Sequence, residues 1–127
     1  MAETLNHYRT ITPYLVVKDA DAELRFLSAV FGAKEKLCKR REDNTVMHAE
    51  IEIGDSLVML GQASEDIKPR EAAFYVMVES ADKAYEKALG AGAKSERKPE
   101  DQHYGHRVAG VVDPNGNAWW VASAVQR

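Results

Sequence analysis

A single cysteine, Cys38, stands among the 127 residues, so no disulfide can close within one chain and no Cys-x-x-Cys metal knuckle can form. No apolar run approaches the roughly 20 residues that a membrane-spanning helix requires. The opening segment MAETLNHYRT lacks the apolar centre of a secretory leader. A basic excess is also missing: 17 Lys and Arg stand against 20 Asp and Glu, a net charge of −3, which argues against a nucleic-acid partner. Together these absences predict a cytoplasmic protein that engages neither membrane nor nucleic acid. The densest basic cluster, Lys39, Arg40 and Arg41, runs straight into Glu42 and Asp43 and reads as a solvated turn. Cys38 has the residue type of a nucleophile, but no histidine adjoins it in sequence to activate it.

What is present is an ordinary globular composition, 45% apolar and 29% charged, in a chain long enough for one domain with its own core. That domain repeats itself. At an offset of 61 residues Tyr14 meets Tyr75, Val17 meets Val78, Ala20 meets Ala81 and Asp21 meets Asp82; after one deletion, Gly32-Ala33-Lys34 meets Gly92-Ala93-Lys94. Each copy opens on a short β-branched or aromatic strand, 14–17 and 74–78. A helix cap follows, Asp19 in one and Ser80 in the other. Apolar residues then recur at helical spacing: Leu24, Leu27, Val30 and Phe31 in the first copy, and Ala81, Ala84, Tyr85, Ala88 and Leu89 in the second. Gly32 and Gly92 are placed to end these helices in the left-handed conformation. Strands are expected at 46–53 and 57–60, joined by the turn Gly54-Asp55, and at 106–112 and 118–122, joined by Asp113-Pro114-Asn115-Gly116. Short strands are expected before each hairpin, at 35–39 and 94–97. The fold class is therefore α+β, with two tandem β-α-β-β-β modules spanning about 10–62 and 72–124.

With the segments ITPYLVVKDADAELRFLSAVFGA, VMHAEIEIGDSLVML, PEDQHYGHR and DPNGNAWW in view, the chain resembles the vicinal-oxygen-chelate superfamily, which includes glyoxalase I, extradiol dioxygenases and bleomycin-resistance proteins. More narrowly it resembles the PhnB-like subgroup, on DQxYGxR followed by DPxGxxW. The resemblance covers residues 12–124. It implies the glyoxalase/bleomycin-resistance fold, with curved mixed sheets around a ligand cavity, usually in a homodimer whose modules pair within one chain or across two. It also implies one divalent metal, held by His or Glu from the first and last strand of each module. Those positions fall at Thr12 (or within a residue of it), at Val58 or Met59, at Ala73 and at Trp120. None supplies the imidazole, carboxylate or thiolate that such a cation takes, and the Thr12 hydroxyl is a weak donor. The resemblance thus implies the scaffold of a metalloenzyme without its usual ligands, and no cofactor is expected.

If the ligand positions face the cavity, their alternate neighbours do so as well. Thr12, Tyr14, Val16, Val46, His48, Glu50, Tyr75, Met77 and Trp120 then point inward, and Leu15, Val17, Phe74, Val76, Val78 and Trp119 pack beneath the helices. A polar loop at 99–107 covers the mouth, with Tyr104 and with Arg107 either meeting an anionic ligand group or bridging to Asp113 or Glu100. The expected binding residues are Tyr14, His48, Glu50, Tyr75, Met77, Tyr104, Arg107 and Trp120. The preferred reading is a metal-free protein that sequesters a small aromatic or amphipathic molecule in an aromatic cleft.

Two alternatives stay open. His48 shares a strand face with Glu50 and Glu52, so an atypical divalent-metal site there would support a lyase, isomerase or dioxygenase. Against it, the two Glu side chains sit near a sheet edge and His48 is a hydrogen-bonded cavity residue. Alternatively His48 acts as a metal-free general base. His103 and His106 have the spacing of a helical metal site, but they flank Gly105 in what reads as a solvated loop.

Overall fold

A computed structural model describes residues 8–125. The first module runs β1 (Tyr14–Val17), α1 (Ala20–Phe31), β2 (Lys34–Arg40), β3 (Val46–Ile53) and β4 (Ser56–Gln62). The second runs β5 (Ala73–Met77), α2 (Ala81–Gly90), β6 (Lys94–Asp101), β7 (His106–Val112) and β8 (Ala118–Ala124). Each module forms its own four-stranded sheet, ordered β1-β4-β3-β2 and β5-β8-β7-β6. The first strand lies parallel to the last, and the remaining pairs are antiparallel. These are two tandem βαβββ modules with mixed sheets, and the two sheets do not close on one another.

Local chemistry accounts for the helices. The Asp19 carboxylate accepts from the Ala22 N–H at 3.1 Å and the Ser80 hydroxyl from the Lys83 N–H at 3.2 Å, satisfying donors that a helix start leaves free. Gly32 ends α1 at φ 64°, its N–H reaching the Ser28 carbonyl while the Ala33 N–H reaches that of Leu27. The second helix stops earlier than expected. It ends at Gly90, Ala91 is its cap at φ −97°, and the left-handed turn falls one residue later at Gly92. The packed stripes also shift. Glu23, Phe26, Leu27 and Val30 are buried on α1, while Leu89 on α2 is exposed.

The basic cluster is solvated at Lys39 and Arg40, but these two residues lie on β2 and not in a turn. Arg40 ends β2 in an ion pair with Asp21 at 2.8 Å, and Arg41 donates to the Gln62 carbonyl at 2.9 Å. The expected loop at 99–107 shrinks to residues 102–105, because β6 continues to Asp101 and β7 begins at His106. Among the described residues, no helix is long and apolar enough to cross a membrane.

One core serves both modules. Leu15, Val17, Phe26, Leu27 and Ile51 from the first pack in one cluster with Ala88, Val111 and Trp119 from the second. The Trp119 indole stacks on Phe74 at 4.5 Å and meets Phe31 of α1 at 5.3 Å. The Asp113-Pro114-Asn115-Gly116 turn clamps the modules together. The Asn115 side chain accepts from the Asp19 N–H at 3.0 Å and donates to the Asp19 carbonyl and to Glu23 Oε1, each at 2.9 Å. Asp113 takes the Trp119 indole N–H at 2.8 Å and the Asn115 and Asn117 N–H groups. Glu23 is fully buried beside it, and Glu23 Oε2 has no donor. Burial first, then the neighbouring Asp113 carboxylate, pushes the Glu23 carboxyl up to about 9. Burial and the Asp113 carboxylate thus both favour the protonated form of Glu23.

Candidate functional site

The helices cover one face of each sheet, and the chemistry-bearing side chains gather on the other. Register across the first sheet aligns Tyr14, Met59, Glu50 and Leu37 in one row, and opposed residues in a ladder share a face. Tyr14 on β1 is 51% exposed, and its ring meets His48 on β3 edge-on at 6.4 Å. Glu50 shares this face yet is only 1% exposed. The Tyr8 hydroxyl donates to Glu50 Oε2, and His48 Nε2 lies 3.2 Å from the same oxygen. Glu50 Oε1 is buried without a partner. Burial, reinforced by the hydrogen bond to Glu50 and its charge, pushes the Tyr8 phenol up to about 12.

Two expectations about this strand need correction. Glu50 does not sit near a sheet edge, because β3 lies between β4 and β2. Val46 does not face the cavity either. Lys39 pairs with His48 and Arg40 with Val46, so β3 carries one extra residue there. Such a bulge reverses the alternation and puts Val46 in the core.

The second sheet repeats the plan with different groups. Tyr75, Trp120 and Gly110 form one row, and Met77, Ala122 and Val108 the next. The Tyr75 hydroxyl lies 2.7 Å from His106 Nδ1 and 3.4 Å from the Tyr104 hydroxyl, and the Tyr75 and His106 rings stack at 5.9 Å. Burial, then the Tyr104 hydroxyl, pushes the Tyr75 phenol up to about 12. Trp120 is half-buried and lies across Gly110, where an added Cβ would come within 2.4 Å of its ring. Tyr75 and Met77 are 49% and 58% exposed.

The expected residues thus fall into two groups. Tyr14, His48 and Glu50 share the first face; Tyr75, Met77, Tyr104 and Trp120 gather on the second. Arg107 joins neither. It opposes Ser123, whose hydroxyl takes the Ala81 N–H on the helix side. Its guanidinium is held by Asp82 at 3.1 Å and Asp101 at 3.0 Å, not by Asp113 or Glu100. Cys38 packs against the core, where burial and then Glu35 raise its thiol above the usual range, the opposite of what a nucleophile needs. Sequence reasoning missed Tyr8, which carries no periodic signal. It also missed Gly110, whose signal, a glycine inside a strand pattern, was there to be used.

Among the described residues, the positions the family uses for a divalent metal carry no imidazole, carboxylate or thiolate. Of the four family positions, Thr12 precedes β1, Met59 rather than the buried Val58 lies in the Tyr14 row, and Ala73 and Trp120 complete the set. Among the described residues no three His, Cys, Asp or Glu side chains come together. His48 and Glu50 make a pair that Glu52 does not join, and His103 and His106 form no cluster with a third ligand.

Over residues 4–121 the chain matches the family described as the Glyoxalase/Bleomycin resistance protein/Dioxygenase superfamily. An uncharacterized protein of Mycobacterium bovis is 28% identical over 133 aligned positions, covering 96% of this chain and 88% of that protein. Among solved structures, TioX from Micromonospora sp. ML1 superposes with a TM-score of 0.77 at 22% identity, over 93% of this chain and 100% of its own. A PhnB protein from Bacillus cereus, described as a putative 3-demethylubiquinone-9 3-methyltransferase, superposes with a TM-score of 0.71 at 15% identity, over 91% and 100%. At these identities the structural likeness speaks for the fold.

Proposed function

We propose that this chain, which belongs to the Glyoxalase/Bleomycin resistance protein/Dioxygenase superfamily, binds and sequesters a small aromatic or amphipathic molecule in the cytoplasm without a resident metal. Trp120 carries the reading. Where the family's enzymes place a liganding carboxylate, this chain has a flat indole, seated on a glycine that leaves room for it. Aromatic faces such as Tyr14, Tyr75, Tyr104 and Trp120 stack on planar ligands, and the few polar groups among them orient the ligand. The donor set supports the metal-free part, since no family position carries an imidazole or carboxylate.

A homodimer belongs to the same proposal. In one chain the two aromatic faces are separate and open, so each is half of a cleft. Pairing the first face of one copy with the second face of another makes two equal clefts by two-fold symmetry. Each would combine Tyr14, His48 and Glu50 with Tyr75, Met77, Tyr104 and Trp120 of its partner.

Fluorescence titration with acridine, a flat neutral aromatic, tests the reading. Saturable quenching is expected, weakened about tenfold or more in Trp120→Ala, an effect typical of a central aromatic contact; Trp119 still reports in that variant. Absence of quenching, or a Trp120→Ala variant that binds like the parent, would overturn the stacking role. A stoichiometric metal in purified protein that disappears in His48→Ala would overturn the metal-free part.

A further inference from the structure

We infer that the ligand's polar end is a cation, a protonated amine or amidine attached to the aromatic body, and that Glu50 anchors it. This rests on the aromatic-cleft reading above and adds a charge and a residue to it. Glu50 sits on an interior strand, on the helix-free face, and is 1% exposed. A buried carboxylate is costly unless its oxygens are hydrogen-bonded or it is paired with a positive charge. Here the pairing is incomplete. Tyr8 and His48 both address Oε2, while Oε1 has no partner among the described residues.

The missing element is a donor for Oε1, and an ammonium or amidinium supplies both a donor and a charge. The surroundings suit that group. Tyr14 and His48 meet edge-on beside the carboxylate, and Tyr8 donates to it. Aromatic faces around a carboxylate stabilise an organic cation through the ring quadrupole as well as the charge. A bare metal ion would want a third ligand that the described residues do not bring near.

Tyr8 then has a defined part. Its phenol is a neutral donor on Oε2 of the same carboxylate whose Oε1 lacks a partner. A cationic ligand reaches the carboxylate by displacing that phenol. Removing the hydroxyl frees Glu50 and favours the ligand, whereas a purely structural role for the Tyr8–Glu50 bond would make the same change neutral or harmful to binding.

The test compares two flat tricyclic probes on the full-length protein at neutral pH: proflavine, which is a cation there, and acridine, which is neutral. Proflavine is expected to bind about tenfold more tightly or better, the scale of a charge-assisted contact. Glu50→Gln should bring the ratio of proflavine to acridine affinity down to about one, whatever it does to binding of the neutral probe. Tyr8→Phe should tighten proflavine without tightening acridine. Equal affinities in the parent protein would overturn the inference and leave the aromatic cleft standing. So would a preference for proflavine that survives Glu50→Gln, or a Tyr8→Phe variant that binds proflavine no better. If neither probe binds, both the inference and the aromatic-cleft reading fail. Thermal melts of each variant show whether a loss comes from unfolding, and Tyr8→Phe, which keeps the ring, tests the point independently if Glu50→Gln does not fold.

Discussion

Glu23 occupies a position where a helix stripe calls for a leucine, and its burial has a consequence that can be measured. Its carboxyl is held as a neutral acid, up at about 9 against an ordinary value of 4.5, so folding takes up a proton throughout that interval. A folded-state pKa raised above the unfolded one means the stabilisation is complete below 4.5 and declines as pH climbs towards 9. Glu23→Gln keeps the shape and the oxygen that meets Asn115, and offers Asp113 an N–H that does not ionise. The variant should be more stable than the parent by on the order of 1–3 kcal/mol at about pH 8, with the gap closing at about pH 4. Urea unfolding across that range is the measurement. A parallel pH dependence in the two proteins would mean that Glu23 is ionised in the fold. Glycine at position 110 makes a second residue-scale prediction. Gly110→Ala would place a methyl within 2.4 Å of the Trp120 ring. The indole should swing off β7, destabilising the fold by about 1–3 kcal/mol through overpacking. Trp120 emission should shift to the red, and acridine binding should weaken.

At the scale of elements, what could be read from the sequence was what is local. Asp19 and Ser80 cap their helices, Gly32 turns left-handed, and the Asp113-Pro114-Asn115-Gly116 segment turns, because each depends on a few neighbouring residues. Strand parity held wherever the ladder was regular. It placed Tyr14 against Leu15 and Trp119 against Trp120 on the correct faces. It failed at Val46, where the extra residue in β3 reflects pairing with β2 and not any feature of β3 itself. The Tyr8–Glu50 contact spans 42 residues and needs the first sheet formed, and the Asn115–Glu23 contact spans 92 and needs the two modules docked. Arg107 shows the same limit. The sequence allows it either in the strand at 106–112 or in the loop at 99–107; β7 begins at His106 and turns the Arg107 side chain to α2. The face chemistry was thus legible residue by residue, and the grouping into two halves was not, because it depends on how the modules dock.

That docking leaves a problem that a single copy does not solve. The modules share one core through their helices, and this turns both aromatic faces outward, with Tyr14, Tyr75 and Met77 about half exposed. The outer strands differ in how they are protected. β2 reads KEKLCKR and β6 reads KSERKPED, so charges line them, and Pro99 removes one donor from β6. Such residues discourage pairing with another chain. β5 reads AFYVM, carries no charge, and is likewise an edge of its sheet. Beside it runs a groove of about 1020 Å³ lined by Phe31, Phe74 and Met77 and by the charged Asp55, Glu79 and Lys83. An uncharged, unprotected edge strand beside an open groove is where association with a second copy is expected. Sedimentation should therefore give twice the chain mass of 14.1 kDa. Met77→Lys places a charge on the β5 side of that interface, where burying it unpaired is costly. The variant should sediment as single chains, retain its fold because Met77 lies outside the core, and bind acridine more weakly because neither face is then completed. A parent protein that sediments as a single chain while binding acridine at full strength would show that one open face is sufficient, and the two-copy cleft would have to be abandoned.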